Sequence, residues 1–424
     1  MLRGTDTLLP GLQVAVDPRP GWLALRDLLC LVRPRTDDIT RHVDSGLADA
    51  AVVPILTLAI NFSEEAGMPT SGPGTQLEVS VSKGLLAAAV GALFDKEYYL
   101  DPTIRHEIDS RCHAWVRDEL GDIGAFFTES NLGRLAHFDD RQVLVGGIQP
   151  NLILGMLLGA EFLPHPSGDA DISPQIWAGR SISDLPNPAD LLDHDLVKLF
   201  DRQIEELRSE GALIPVPPFF WDGSGRAAAH GALTTAQKFL GEGMFMDMLE
   251  EPARVRTMME WITEANMTLV QHFADAGRID VTQVHIGECS SCMIGPDQWT
   301  EFVVPTLIRI GDALGPLRLH SCGMSDHILD KARALDRLNS LDVGGETSLV
   351  RVRELFGPEL SVSMAPPVRT LTAETAEPLL AWLDRVLDEN AGGNLTVLIH
   401  IEPQYSLDAI RTFCRASAAP SGHR

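Results

Sequence analysis

From residue 143 onward, short apolar segments alternate with longer amphipathic ones, and this rhythm constrains the fold more than any other feature. The apolar segments cover residues 143–145, 213–216, 279–286, 317–320, 338–341, 360–364 and 395–400. Strands that alternate with helices form a parallel sheet, because each helix returns the chain to the same end of the sheet. We therefore predict seven parallel strands here, with an eighth from the less regular N-terminal part.

Two architectures accommodate such a pattern. A closed (β/α)8 TIM barrel needs about 250 residues, and residues 141–424 supply that length. An open doubly wound sheet is the alternative, but no glycine-rich dinucleotide fingerprint follows an early strand. We predict an α/β fold in which a partly helical N-terminal extension, residues 1–140, precedes a (β/α)8 TIM barrel at residues 141–424.

Charge and cysteine content narrow the class of protein. The chain of 424 residues has 59 acidic and 34 basic residues, giving a net charge of −25. Such a chain repels phosphate backbones and anionic membranes, so we expect neither nucleic acid nor a membrane as a partner. The N-terminus lacks the apolar core of a signal peptide, and the six cysteines are sparse. We predict a cytoplasmic protein with reduced thiols.

In a barrel, polar side chains that follow the strands converge on one face. The most informative of them are His320 and Cys322, two apart and followed by Gly323. Imidazole and thiolate are the ligands that zinc prefers. The pair predicts a zinc site that needs a third ligand, with His400, Glu288 and Glu402 as candidates. The alternative is a hydrogen-bonded core histidine beside a buried thiol.

Three further residues at strand ends have open roles. Asp342 is a candidate general acid or base, or a carboxylate that orients His320. Cys289 and Cys292 form a C-x-x-C pair. A second such pair, which a structural zinc site would require, is absent from the sequence, so we interpret the two cysteines as loop-packing residues.

Several motifs occur in the order found in the uroporphyrinogen decarboxylase superfamily, and the chain resembles that family over roughly residues 143–414. The motifs lie at residues 239–242, 251–255, 294–296, 301–305, 320–323, 353–357 and 398–410. This resemblance implies a (β/α)8 barrel, in agreement with the strand pattern.

One branch of the superfamily, the zinc-dependent, cobamide-linked methyltransferases such as methylcobamide:coenzyme M methyltransferase, is similar at the metal motif. Its ligands are the His and Cys of a His-x-Cys-Gly motif and a later Cys. His320 and Cys322 match, whereas His400 stands where the later Cys is expected. The resemblance implies zinc held by His320 and Cys322, with His400 in the place of the later Cys. Glu288 is a further candidate ligand because its strand neighbours that of His320, and Asp342 and Glu288 are our candidate catalytic residues. The resemblance also implies a small-molecule thiol as methyl acceptor and a cobamide on a corrinoid carrier protein as donor.

Two other functions fit the same fold. One is a metal-free decarboxylase or lyase that acts on a carboxylated small molecule through Asp342 and an arginine such as Arg318 or Arg369. The arginine-rich Arg-x-x-Gly-Arg stretch of uroporphyrinogen decarboxylase itself is absent from the sequence. The other is a binding protein that has kept the barrel without catalysis. Monomer and homo-oligomer are both compatible with the sequence.

Overall fold

The computed structural model describes residues 75–127 and 141–418. Eight strands form one sheet in the order β2-β1-β12-β11-β10-β9-β8-β7, and every neighbouring pair is parallel. The strands of the structure are Thr75–Val81 (β1), Phe126–Phe127 (β2), Gln142–Leu144 (β3), Phe162–Leu163 (β4), Asp171–Ile172 (β5), Ile214–Val216 (β6), Arg226–His230 (β7), Gln283–Gly287 (β8), Leu317–Ser321 (β9), Leu338–Gly344 (β10), Ser361–Ala365 (β11) and Leu395–Ile401 (β12).

Helices connect the strands of this sheet. They are Lys83–Val90 (α1), Lys96–Leu100 (α2), Pro102–Leu120 (α3), Pro150–Leu157 (α4), Asp195–Glu210 (α5), Ala232–Leu240 (α6), Met244–Glu250 (α7), Pro252–Gly277 (α8), Pro296–Gln298 (α9), Val304–Leu314 (α10), Asp326–Ala332 (α11), Leu349–Phe356 (α12), Val368–Leu371 (α13), Glu377–Asn390 (α14) and Leu407–Ala418 (α15). Short 3-10 helices lie at Gly121–Ile123, Ile182–Asp184, Pro188–Asp193 and Cys289–Met293, and a π-helical turn at Trp299–Val303. In the described ranges, no helix is long and apolar enough to cross a bilayer.

The strand order confirms the predicted fold class. From β7 to β12 the strands follow one another in sequence, and β12 then pairs with β1, as Ser80 opposite His400 shows. First and last strands become neighbours when a sheet curls into a cylinder, whereas a doubly wound sheet reverses its order in the middle. Among the described residues, no strand pairing joins β2 to β7. The chain is therefore an α/β protein with a (β/α)8 TIM-barrel-like sheet that is open along this seam.

The sheet extends across the predicted boundary at residue 140. Both β1 and β2 come from the chain before residue 141, so the expected eighth strand is found there as β1. Its residues Leu77, Val79 and Val81 are buried in the hydrophobic core. Residues 1–74 and 128–140 of the predicted extension lie outside the described residues.

Two of the seven predicted strands need correction. The segments at 143–145 and 213–216 do form strands, but β3 and β6 pair with each other in a separate two-stranded parallel sheet. One of their two places in the eight-stranded sheet is taken by β2 and the other by β7, which was not predicted. Its sequence from Arg226 to His230 encloses three alanines, and alanine is depleted in strands. It forms a strand because it is buried against β8, where Ala228 lies opposite His285.

Candidate metal centre

Three potential metal ligands converge at the ends of β8 and β9. One ligand atom from each of Cys289, His320 and Cys322 lies within 4.8 Å of the other two. His320 is near the end of β9 and Cys322 follows it directly, while Cys289 starts the 3-10 helix after β8. Because Gly287 is paired with His320 in the parallel register, the residues beyond both strand ends meet. The part of the chain that the structure describes contains this one group of three.

The charges in this group favour a cation. A hydrogen bond from the Cys289 thiol, followed by one from His320, lowers the pKa of Cys322 to about 4. The same contact with Cys322, together with burial, raises the pKa of Cys289 well above its usual value. Cys322 is therefore a thiolate at neutral pH, and Cys289 holds its proton until a positive charge replaces that proton.

Asp342 holds the far side of His320. Its Oδ2 lies 2.9 Å from His320 Nδ1 and 2.9 Å from Arg318 Nη2, and its side chain is almost completely buried. Burial lowers the pKa of His320, but the Asp342 carboxylate and Cys322 together outweigh burial and raise this pKa to about 9. Burial would likewise raise the pKa of Asp342, but His320 and Arg318 together lower it. This geometry matches the orienting role that the sequence offered for Asp342.

Glu288 faces away from this group and caps a helix. Its two carboxylate oxygens accept hydrogen bonds from the backbone N–H groups of Leu233 and Thr234, each at 3.1 Å, in the first turn of α6. Burial raises the pKa of Glu288 to about 7, against the lowering effect of these hydrogen bonds. A Cβ on Gly231 would lie 1.9 Å from Glu288 Cδ, so only glycine fits there. The structure thus places the predicted ligand and catalytic residue Glu288 outside the ligand group.

His400 is also outside the ligand group. Its Nδ1 lies 2.8 Å from Ser80 Oγ, across the β1–β12 pairing, and its Nε2 lies 3.9 Å from Glu402. It does border a cavity of about 130 Å3 that His320 and Cys322 also line. Three strand-to-strand steps separate β12 from β9, which explains why His400 does not join the pair.

The third residue of the ligand group is Cys289, whereas the sequence analysis offered His400, Glu288 and Glu402 as candidates for a third ligand. The sequence analysis interpreted the two cysteines of the C-x-x-C pair as loop-packing residues. In the structure, Cys289 lies in the ligand group. Cys292 is exposed, and its thiol donates a hydrogen bond to Cys289 O at 3.1 Å. The sequence feature that could have identified Cys289 is its position directly after the strand that neighbours the one carrying His320.

A cavity of about 520 Å3 opens onto the ligand group. Cys289, His320 and Cys322 form part of its wall. Trp221 and two histidines that the sequence analysis missed, His230 and His285, line it as well. Burial lowers the pKa of His230 to about 4 and that of His285 well below its usual value, so both imidazoles are neutral.

The donor set fits zinc. Two sulfurs and one imidazole nitrogen are a combination that zinc accepts, and catalytic zinc sites keep one further position open for water or substrate. The ligand group borders the large cavity, into which such an open position would face. The carboxylate behind His320 is the usual partner of a zinc-bound imidazole.

Comparison with known proteins gives a family and a fold. The family described as uroporphyrinogen decarboxylase (URO-D) matches residues 228–363. A methyltransferase from Methanosarcina mazei has a similar structure, with 16% identity, 82% of this chain and 92% of that chain covered, and a TM-score of 0.54.

A B12-independent methionine synthase from a Shewanella species, in complex with selenomethionine, reaches a TM-score of only 0.38. Its sequence identity is 12%, with 83% of this chain and 96% of that chain covered. A search among curated proteins gives no match. The first structure supports the barrel-like fold. The resemblance in the motifs is confirmed to the extent that residues 228–363 match the family described as uroporphyrinogen decarboxylase.

Proposed function

We propose that this protein is a zinc-dependent methyl-transfer enzyme that activates a small thiol. The observation that carries the proposal is the convergence of Cys289, His320 and Cys322 at the ends of two adjacent strands, on the wall of the large cavity. When bound there, zinc supplies Lewis acidity that lowers the pKa of a thiol substrate. The thiolate would then attack the methyl group of the donor, so that an S–CH3 bond forms while the bond from methyl to the donor breaks and the donor leaves with its electron pair.

The chain's own residues prepare this site. Asp342 fixes the orientation of His320 through Nδ1 and leaves Nε2 for the metal. The 3-10 helix Cys289–Met293 holds Cys289 against Cys322. Phe219 and Phe220 line the same cavity and are buried, so they give it apolar walls that limit access of water.

For the methyl donor we propose a methylated cobamide on a corrinoid carrier protein, with a small methylated molecule as the alternative. Support comes from the solved structure with the similar fold, which is named a methyltransferase. A cavity of about 520 Å3 is large enough for a small-molecule acceptor.

The metal-free decarboxylase gains no support from the two arginines that it would use. Arg318 is buried and contacts Asp342, His285 and Ser363 within the barrel. Arg369 is exposed and pairs with Glu346. Neither arginine lines the cavity of about 520 Å3 that borders the ligand group, and the cavity that Arg369 does line is a separate one.

Metal analysis and a methyl-transfer assay test the proposal. We expect about one zinc per chain by plasma mass spectrometry, lost in Cys289→Ser and retained in the matched control Cys292→Ser. The zinc-loaded protein should also transfer methyl from methylcobalamin to 2-mercaptoethanol, and chelation should abolish this transfer. Equal zinc content in both cysteine variants would overturn the ligand assignment, and full transfer after chelation would overturn the zinc-dependent reaction.

A further inference from the structure

Arg318 links the metal centre to a second histidine. It lies in the middle of β9 with its guanidinium group buried in the sheet interior. Its Nη1 lies 3.3 Å from His285 Nδ1, and its Nη2 lies 2.9 Å from Asp342 Oδ2 and 3.2 Å from Ser363 Oγ. One side chain therefore contacts both His285 and the carboxylate that orients His320.

This contact fixes the proton of His285. A guanidinium group has only hydrogen-bond donors and keeps its charge in proteins, so His285 Nδ1 must accept. A neutral imidazole whose Nδ1 accepts carries its proton on Nε2. Burial and the positive charge of Arg318 both oppose protonation of His285.

The Nε2–H of His285 is available to a ligand. Among the described residues, the one hydrogen bond of the His285 ring is the bond to Arg318. His285 lines the large cavity together with His320, and the two ring centroids are 5.7 Å apart. The Trp221 ring packs against His285 with a centroid distance of 4.8 Å. Gly287 places no side chain beside this nitrogen: a Cβ there would be in ordinary contact, 3.9 Å from His285 Nε2 and 3.7 Å from His230 Cδ2.

The two histidines consequently present opposite groups to the same cavity. His320 has Nδ1 against Asp342, so Nε2 is the nitrogen at which a cation would replace the proton. His285 has Nδ1 against Arg318, so its Nε2 is a donor. A small ligand that touches both rings is bound at one end through the metal and at the other through a hydrogen-bond acceptor.

We propose that His285 Nε2–H recognises an acceptor oxygen on the ligand bound at the metal centre, and that Arg318 is the positioning residue that holds His285 in this tautomer. The ligand class is a small thiol with an oxygen that accepts a hydrogen bond. The part about the thiol rests on the proposed function, whereas the tautomer of His285 does not.

Nitrogen-15 NMR of histidine-labelled, metal-free protein at pH 7 tests the tautomer. The His285 signals are assigned by their loss in His285→Gln. We expect a protonated Nε2 and an unprotonated Nδ1, retained in Arg318→Lys and converted to a mixture of tautomers in Arg318→Met. A protonated Nδ1 in the wild-type protein, or an imidazolium, overturns the proposal without any Arg318 variant.

Calorimetry on the zinc-loaded protein tests the ligand contact, with 3-mercaptopropionate and 1-butanethiol as probes. A hydrogen bond to a charged acceptor contributes about 1.5–3 kcal/mol, which corresponds to a tenfold or larger change in Kd. We expect His285→Phe to weaken 3-mercaptopropionate at least about tenfold and 1-butanethiol less than about twofold. Equal weakening of both probes overturns the contact. A wild-type protein that holds no zinc contradicts the proposed function instead, and the tautomer measurement still decides on Arg318 and His285.

Discussion

His320 and His400 both lie near the C-terminal end of a strand in one sheet, yet they have opposite acid–base behaviour. Against the effect of burial, the Asp342 carboxylate and Cys322 raise the pKa of His320 to about 9. Burial lowers the pKa of His400 to about 4, and its direct partner is the neutral hydroxyl of Ser80. The same residue type in the same topological position becomes a ligand candidate or a neutral structural group according to its neighbours. The two histidines differ because Asp342, Cys289 and Cys322 lie around His320 alone, so the position at a strand end does not by itself determine the behaviour of a histidine.

The strongest test of this difference is to remove one side chain from the ligand group and one from the surroundings of His400. Cys322→Ser should weaken zinc binding by more than about a hundredfold, because a thiolate ligand is lost. His400→Ala should change zinc affinity less than about twofold, because His400 is outside the ligand group. Competition with a chromophoric chelator measures both. Comparable losses in the two variants would mean that His400 is a ligand after all.

The pH dependence of unfolding distinguishes the surroundings of His400 from those of His320. His400 is neutral when folded and becomes easier to protonate on unfolding, since its pKa rises from about 4 toward 6.5. Its contribution to stability is complete above pH 6.5 and is lost as the pH falls toward 4. With about a quarter of the side chain exposed, we expect a contribution of about 2 kcal/mol. Urea unfolding of wild type and His400→Gln at pH 7 and pH 4.5 measures it, and parallel losses in the two proteins would contradict it.

Asp342 tests the orientation of His320. Asp342→Asn removes the charge behind the ring while keeping its shape, so zinc affinity should fall by about tenfold, as for other residues that support a metal ligand. The pKa of His320 in the metal-free protein should fall as well, because the carboxylate is one of the two groups that raise it. Chelator competition and proton NMR report the two effects. An unchanged His320 pKa would show that the 2.9 Å contact is not maintained in solution.

The smallest expected effect concerns Ser80. Ser80→Ala removes the hydroxyl that contacts His400 Nδ1 and should destabilise the fold by about 1 kcal/mol, the usual cost of one buried hydrogen bond. Zinc content should stay the same. Thermal unfolding and metal analysis of one preparation give both readings, and a change in zinc content without a change in stability would reverse the assignment of the two regions.

Most of the barrel was predictable because its later strands are short segments rich in apolar residues that alternate with helices. Those from β8 to β12 are buried, and β-branched residues such as Val284, Val362 and Val397 are frequent in them. The strand β7 was not predictable in this way, since its central alanines lack strand propensity and it forms through burial next to β8. Conversely, β3 and β6 have the right composition but pair outside the main sheet, a choice that depends on contacts distant in sequence.

The metal centre shows where local pattern stops being informative. His320 and Cys322 were identifiable as candidate ligands because both lie at one strand end. The third donor depends on which strands are neighbours and on which way each side chain turns after its strand. Glu288 and Cys289 are adjacent in sequence, yet one faces the first turn of α6 and the other faces Cys322. A shift of one residue at the end of β8 would exchange their directions, and composition does not record such a shift.

The pairing of β1 with β12 has a practical consequence for the design of shorter versions of this protein. A fragment that begins at residue 141 lacks β1, and all seven residues from Leu395 to Ile401 then lose their neighbour on that side. Exposed backbone edges of this length invite association between molecules. A fragment that begins before Thr75 keeps this edge covered, so shortened versions should retain the chain from that point onward.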